Sequence, residues 1–427
     1  MGKKEKIPPP GNKNDACTNF MTKAKWKQAL ARQALEVAGR NLRGYGALVV
    51  GNALTKNRYV CKADFSHNGL GDEGAINFAQ VIKVNEFITT LDLSCNGISD
   101  IGGVAIASAF IPAANPTGQP AQWNRSLWYL NMSGNNMRDD AMVAFSNAIA
   151  CHRQFTQLDV RNNQIGGRGC QHLARTWRRT QTSCVVLVSG NPLGDEGVTN
   201  YCSAWKGSVL ALNNCDVSKG GAEAIGTLLV DNTTLQVLNL AWNTLGYKGT
   251  EALVDRLSMK RCVLYSINLQ DNCLDDDAAE EIARLIEANI PTLKKIDISR
   301  NAIRDKGGEA VARSMQRSTV LEAMIVSHNH MADKAMEQFA EAVKVCKTLA
   351  LLDVKRNNFT DAGKDALFIA GNVNGTCRVD MGASSAPGPD EKGAAFEALM
   401  SKFAKHMKQM LDDEENAKAS KKKKKAD

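Results

Sequence analysis

Residues Leu91–Phe110 read LDLSCNGISDIGGVAIASAF. Leu91 and Leu93 alternate with Asp92 and Ser94, a side-chain period of two that buries one face of a short strand. Past Asn96 the chain enters an alanine-rich run with helical spacing. The same order, L-x-L-x-x-N-x-L with other apolar residues allowed for Leu, recurs from Leu35, Ala63, Leu91, Leu130, Leu158, Val186, Leu210, Leu238, Ile267, Ile296, Met324 and Leu352. The steps are 28, 28, 39, 28, 28, 24, 28, 29, 29, 28 and 28 residues. So regular a period predicts a solenoid in which each unit is one strand and one helix.

Three columns recur with the core. At the fifth place after each core start stand Asn68, Asn96, Asn135, Asn163, Asn191, Asn243, Asn272, Asn301, Asn329 and Asn357, with Arg40 and Cys215 in the two departing units. A stacked carboxamide can satisfy backbone groups where the chain leaves the strand. Six residues further on, every unit has Gly or Ala, from Gly46 to Gly363, which marks close backbone approach. Four residues after the asparagine place come Asp72, Asp100, Asp139, Asp195, Asp276, Asp305, Asp333 and Asp361, placed to cap helix N-termini.

These columns resemble leucine-rich repeats of the ribonuclease-inhibitor type over residues 35–381, about twelve repeats plus a terminal strand near Val379 and Met381. The resemblance implies an α/β solenoid, a leucine-rich repeat horseshoe with parallel strands on the concave face and helices on the convex face. Such a surface has no pocket of its own. Flanking it, residues 1–19 read as a basic tail and 20–34 as an N-terminal capping helix through Trp26 and Leu30. Residues 382–390 are a polar linker, 391–415 an amphipathic helix and 416–427 a lysine-rich tail.

In the 427-residue chain no run of eighteen apolar residues occurs, and MGKKEKIPPPGNKND lacks the apolar core of a secretory signal. The expectation is a cytoplasmic chain whose twelve cysteines are thiols. Of the formal net charge of +8, each end supplies +5, which leaves the body at −2. Attraction to acidic protein surfaces therefore belongs to the ends. Lysine runs without interleaved aromatics do not indicate sequence-specific nucleic-acid binding, and no membrane contact is expected.

Candidate chemistry is sparse. DNCLDDDAAEE at 271–281 gathers acids but lacks calcium-loop spacing, so it reads as a helix cap with an acidic flank. His328 and His330, as alternate strand residues, are expected to face one side, two imidazoles short of a metal site. There is no Walker A loop and no G-x-S-x-G elbow. No catalytic residue, cofactor or metal is called for.

Binding surface is the remaining resource. Alternate strand residues Asp64, Asp92, Asn131, Asp159, Asn239, Asn268, Asp297 and Asp353 make a polar, acidic face. In its middle Val185, Leu187, Val209, Ala211, Val237 and Trp242 are expected to form an apolar patch with the indole as anchor. The 39-residue step carries the loop IPAANPTGQPAQWNRSLWY, with Trp123 and Trp128 as further candidates. In EKGAAFEALMSKFAKHMKQML, Phe396, Leu399, Met400, Phe403, Met407 and Met410 lie along one helical stripe. That stripe fits the last repeat, a structural partner or a calmodulin-like acceptor.

These features predict a non-enzymatic scaffold or adaptor. Its architecture is similar to the leucine-rich-repeat subunits of ciliary and flagellar axonemes, such as that of the nexin-dynein regulatory complex, which implies microtubule-associated or axonemal partners and a cytoskeletal location. The alternatives are a GTPase activator of the Ran type, with Arg40 and Arg43 as exposed arginines, and a repeat-type inhibitor or sensor. The Ran activators usually carry an acidic segment after their repeats, where this chain has KKKKKAD.

Overall fold

The computed structural model describes residues 28–112, 123–258 and 263–382. The chain divides into two compact units, Met1–Trp205 and Lys206–Asp427. In the first, strands β1 (Ala34–Glu36), β2 (Lys62–Asp64), β3 (Thr90–Asp92), β4 (Tyr129–Asn131), β5 (Gln157–Asp159) and β6 (Val185–Leu187) form one parallel sheet in chain order. They alternate with helices α1 (Arg43–Thr55), α2 (Gly71–Val84), α3 (Asp100–Ser108), α4 (Asp139–Cys151), α5 (Gly167–Thr180) and α6 (Gly194–Cys202).

The second unit repeats the plan. Strands β7 (Val209–Ala211), β8 (Val237–Asn239), β9 (Ser266–Asn268), β10 (Lys295–Asp297), β11 (Ala323–Ile325), β12 (Leu351–Asp353) and β13 (Arg378–Asp380) form a seven-stranded parallel sheet. Its helices are α7 (Lys219–Asp231), α8 (Gly246–Leu257), α9 (Asp276–Glu287), α10 (Asp305–Arg317), α11 (Asp333–Val345) and α12 (Asp361–Asn374). The fold is an α/β solenoid. No helix among the described residues is long and apolar enough to cross a membrane.

Register follows the core pattern. Leu35, Ala63, Leu91, Leu130, Leu158 and Val186 pair in succession across the first sheet. Leu210, Leu238, Ile267, Ile296, Met324, Leu352 and Val379 do so across the second. Each is the middle residue of a three-residue strand, and all but Val379 are buried. Complete burial of one such side chain stabilises by about 1.5–3 kcal/mol, so a one-residue slip, which would turn the whole column outward, is strongly disfavoured.

The asparagine column explains why strands stop after three residues. Asn68 Oδ1 accepts from the N–H groups of Arg40 and Leu42 at 2.9 and 3.3 Å, while its Nδ2 donates to the carbonyls of Val37, Phe65 and Ser66. Asn68 N–H in turn donates to Asn96 Oδ1, and Asn96 N–H to Asn135 Oδ1, both at 2.9 Å. In the second unit Asn243 Oδ1 accepts from Cys215 N–H at 3.0 Å. The thiol of Cys215 replaces a carboxamide at the first place of that unit's ladder.

A second polar column runs seventeen residues beyond the first and is not anticipated by the core pattern. Asn85 Nδ2 donates to the carbonyls of Leu54 and Asn57, and its Oδ1 accepts from the N–H groups of Phe87 and Ile88. Asn57, Asn124, Asn232 and Asn374 accept from the same two following N–H groups. At these five places the amide closes the turn from a helix into the next strand. An amide seventeen residues beyond the first column is the sequence signal for it, except at Asn124, which the insertion displaces to 28 residues beyond Asn96.

The aspartates act differently from expectation. Sequence reading places them as caps of their own helices, whereas their carboxylates reach the next repeat. Asp72 Oδ1 accepts from the N–H groups of Ser99 and Gly102 at 2.8 and 3.0 Å. Asp100, Asp139, Asp276, Asp305 and Asp333 serve the following helix in the same way. An aspartate in the first turn projects sideways toward the parallel neighbour helix, about 10 Å away. Capping of the helix's own first turn falls to the residue before it, as Ser99, Asp275 and Thr360 show.

Candidate protein-binding surfaces

The third residue of each strand emerges on the sheet face that the helices do not cover. In the first unit Asp64, Asp92 and Asn131 are half-buried and locally braced. Asp64, Asp92 and Asn131 each accept from the N–H group two residues on, at 2.8–3.0 Å. Asp92 also accepts from Asn131 Nδ2 at 2.8 Å. One carboxylate oxygen therefore shapes the turn.

Asp159 departs from the expected exposed acid. It is 0% exposed, lying under Arg161, whose Nε and Nη2 donate to it at 3.0 and 2.5 Å. Beside it, burial together with the charges of Asp159 and Asp92 pushes the Tyr129 phenol up from its ordinary value. The pair presents a guanidinium in the middle of an otherwise acidic column.

Around that face Trp128 is 38% exposed, its ring centroid 6.1 Å from that of Tyr129. The Trp123 ring is half-buried beneath the Arg125 guanidinium, 3.9 Å from the ring centre. The loop they flank lies largely outside the described residues. Tyr201 and Trp205, near the 24-residue step, are buried. Tyr201 donates to the Val186 carbonyl at 2.8 Å, and its ring meets that of Trp177 edge-on.

The six residues of the expected apolar patch fall on both units. Val185 and Leu187 are half-buried on β6 of the first. Val209 and Val237 are paired neighbours on β7 and β8 of the second, with Ala211 half-buried next to them.

Trp242 is 54% exposed and stands in left-handed backbone at φ 63. Most repeats place the residue before the ladder asparagine in this conformation, as with His67, Cys95, Gly134, Asn162 and Gly190. A non-glycine residue there costs about 1 kcal/mol, and an exposed indole recovers little of that cost from its own fold.

In the second unit the column continues with Asn239, Asn268, Asp297 and Asp353, again bonded to the N–H two residues on. Lys355 bridges Asp353 and Asp380 at 3.4 and 3.2 Å. His328 and His330 follow the three-residue strand β11 rather than lying in it, because the ladder asparagine has already turned the chain. His328 is in left-handed backbone at φ 56. Its pKa is lowered by desolvation and by the guanidinium of Arg300.

The acids of 271–281 are engaged structurally. Asp275 caps α9, Asp276 holds the first turn of α10, Asp277 and Glu280 pair with Lys306, and Glu281 pairs with Arg284. Phe396, Leu399, Met400, Phe403, Met407 and Met410 lie outside the described residues.

Comparison with known proteins finds these likenesses. A family model described as Leucine Rich repeat matches residues 64–79, 84–107, 124–146, 153–174, 231–254 and 289–312. The ribonuclease inhibitor of Mus musculus is 26% identical over 151 residues, covering 34% of this chain and 33% of that protein. That of Sus scrofa is 27% identical over 154 residues, 35% and 34% of the two chains. The match thus spans about a third of the length of these curated relatives. A solved internalin of Listeria monocytogenes superposes with a TM-score of 0.46 at 15% identity, covering 84% of this chain and 89% of that one.

Proposed function

The chain is a ribonuclease-inhibitor-type leucine-rich repeat protein, and from that premise we propose that it is a non-enzymatic scaffold or adaptor that holds other proteins on the uncovered faces of its sheets. The observation that carries this reading is Trp242, an exposed indole kept in left-handed backbone where glycine would be more stable. Aromatic anchors of this kind supply much of the energy of protein interfaces. Val185, Leu187, Val209, Ala211 and Val237 supply apolar surface on the strands of the two units. Trp123 and Trp128 supply a second, loop-borne contact.

The assembly we assign is cytoplasmic and cytoskeletal, a structural subunit of the ciliary or flagellar axoneme. The near-neutral body and the +5 at each end support attachment through the ends to an acidic lattice such as a microtubule. A second reading is favoured by the named relatives together with Asp64 and Asp92, namely a repeat-type inhibitor that covers a basic enzyme.

Non-ionic detergent extraction of cells bearing the tagged protein separates the two. The scaffold reading expects retention on the insoluble cytoskeleton, release at high salt, and loss of co-eluting neighbours in Trp242→Gly. Full release with one inhibited enzyme in stoichiometric complex would replace it with the second reading.

A further inference from the structure

The last described helix breaks the surface pattern of its neighbours. Five residues after the small-residue column the preceding repeats bury Val254, Ala283, Ala312 and Ala340 between helices. At that place α12 carries Phe368, 44% exposed. The next position holds the charged, exposed Asp255, Arg284, Arg313 and Glu341, but in α12 it holds Ile369, 56% exposed. Val373, one turn on, is 66% exposed.

Two features mark where another helix belongs. The strand of the thirteenth unit is present, since β13 pairs with β12 in the same register as the other strand pairs of its sheet. Asp361 is the next member of the aspartate column, yet among the described residues its carboxylate meets only Lys364 and its side chain is 89% exposed. Its predecessor Asp333 holds the first turn of α12 through Thr360 and Gly363. The thirteenth unit therefore has a strand in register and a carboxylate ready for its helix.

The 45 residues after Gly382 contain a matching sequence. In α11 the buried residues Ala335, Met336, Phe339, Ala340 and Val343 face the sheet and neighbouring helices. Ala395, Phe396, Leu399, Met400 and Phe403 repeat that spacing. Ala395 follows Gly363 by 32 residues, four more than the usual step.

We propose that residues 391–411 are the helix of the thirteenth unit and pack against α12, covering Phe368, Ile369 and Val373. The segment closes the apolar end of the array, as terminal repeats of solenoids do. A second copy of the chain and a calmodulin-like acceptor are the rival occupants, of α12 and of the segment respectively.

Amide hydrogen exchange of the full chain tests this. In Phe403→Asp and in Ile369→Arg, which installs the charge that Arg313 carries, amides of 361–374 should exchange about tenfold faster or more. Those of 391–411 should lose protection that the parent chain shows. Free-chain exchange of 391–411 in the parent, or unchanged exchange of 361–374 in Phe403→Asp, would overturn the assignment. Protection that disappears on dilution would overturn it in favour of a second copy. Binding of 391–411 by calmodulin in the full chain with no change at 361–374 would overturn it in favour of an external acceptor.

Discussion

Asp72 and Gly102 meet across two repeats: the Gly102 N–H donates to Asp72 Oδ1 at 3.0 Å, and a Cβ on Gly102 would stand 2.7 Å from that oxygen. The same crowding joins Asp139 to Gly169, Asp276 to Gly307 and Asp333 to Gly363. Two columns that look independent along the chain are thus one contact. Ala141, Ala278 and Ala335 fill the glycine place in three repeats, so a methyl is accommodated, but larger side chains would force the helices apart.

Removing the carboxylate tests the contact. Asp276→Ala strands the N–H groups of Arg304 and Gly307 and should cost about 1–2 kcal/mol, the range of a lost helix cap. Asp277→Ala removes only an exposed pair with Lys306 and should leave the unfolding midpoint nearly unchanged. Urea unfolding midpoints of the two variants give the comparison, and equal losses would refute the cross-repeat cap.

The ladder is costlier to break. Asn301 accepts from the N–H groups of Asn272 and Leu274 and donates to the carbonyls of Leu269, Ile298 and Ser299. Asn301→Ala leaves several of these groups buried without partners, at about 1–3 kcal/mol each. Chemical denaturation should show a total loss of about 3 kcal/mol or more.

His152 occupies a place in the second polar column. It is buried between Phe110 and Phe155, and neither ring nitrogen has a hydrogen-bond partner among the described residues. Burial pushes its pKa below the ordinary histidine value. The unfolded chain therefore binds the proton more readily. Stability should be full above about pH 6.5 and fall as pH drops through that value. His152→Asn restores the amide used at Asn85 and Asn124, and thermal melts of this variant should lose that pH dependence.

Trp242→Gly separates binding from folding. Glycine relieves the left-handed backbone, so the melting temperature should hold or rise by a few degrees. Partner retention should nevertheless fall, because the indole leaves. A clear drop in stability would mean that the ring serves the fold.

The repeat length, the core residues and the asparagine ladder could be read from the sequence because each recurs at fixed distance along the chain. What could not be read depends on the neighbouring repeat. The direction of Asp276 and the backward bonds of the amide column at Asn85 and Asn124 arise when units stack. The 24-residue step between Val186 and Leu210 signals an irregularity, but not that one sheet ends at β6 and another begins at β7. For the surfaces, Trp242 was legible as a residue, and its exposure and backbone strain were not.

The insertion between Asn96 and Asn135 has one further consequence. Both cross-repeat contacts survive it: Asn96 N–H still reaches Asn135 Oδ1, and Asp100 still holds Arg138 and Ala141. A unit that supplies one acceptor forward and one amide backward leaves nothing unmatched when copied whole or lengthened at its loop. Gene duplication can therefore extend such an array, and loop insertion can diversify it, without any compensating change in the neighbours.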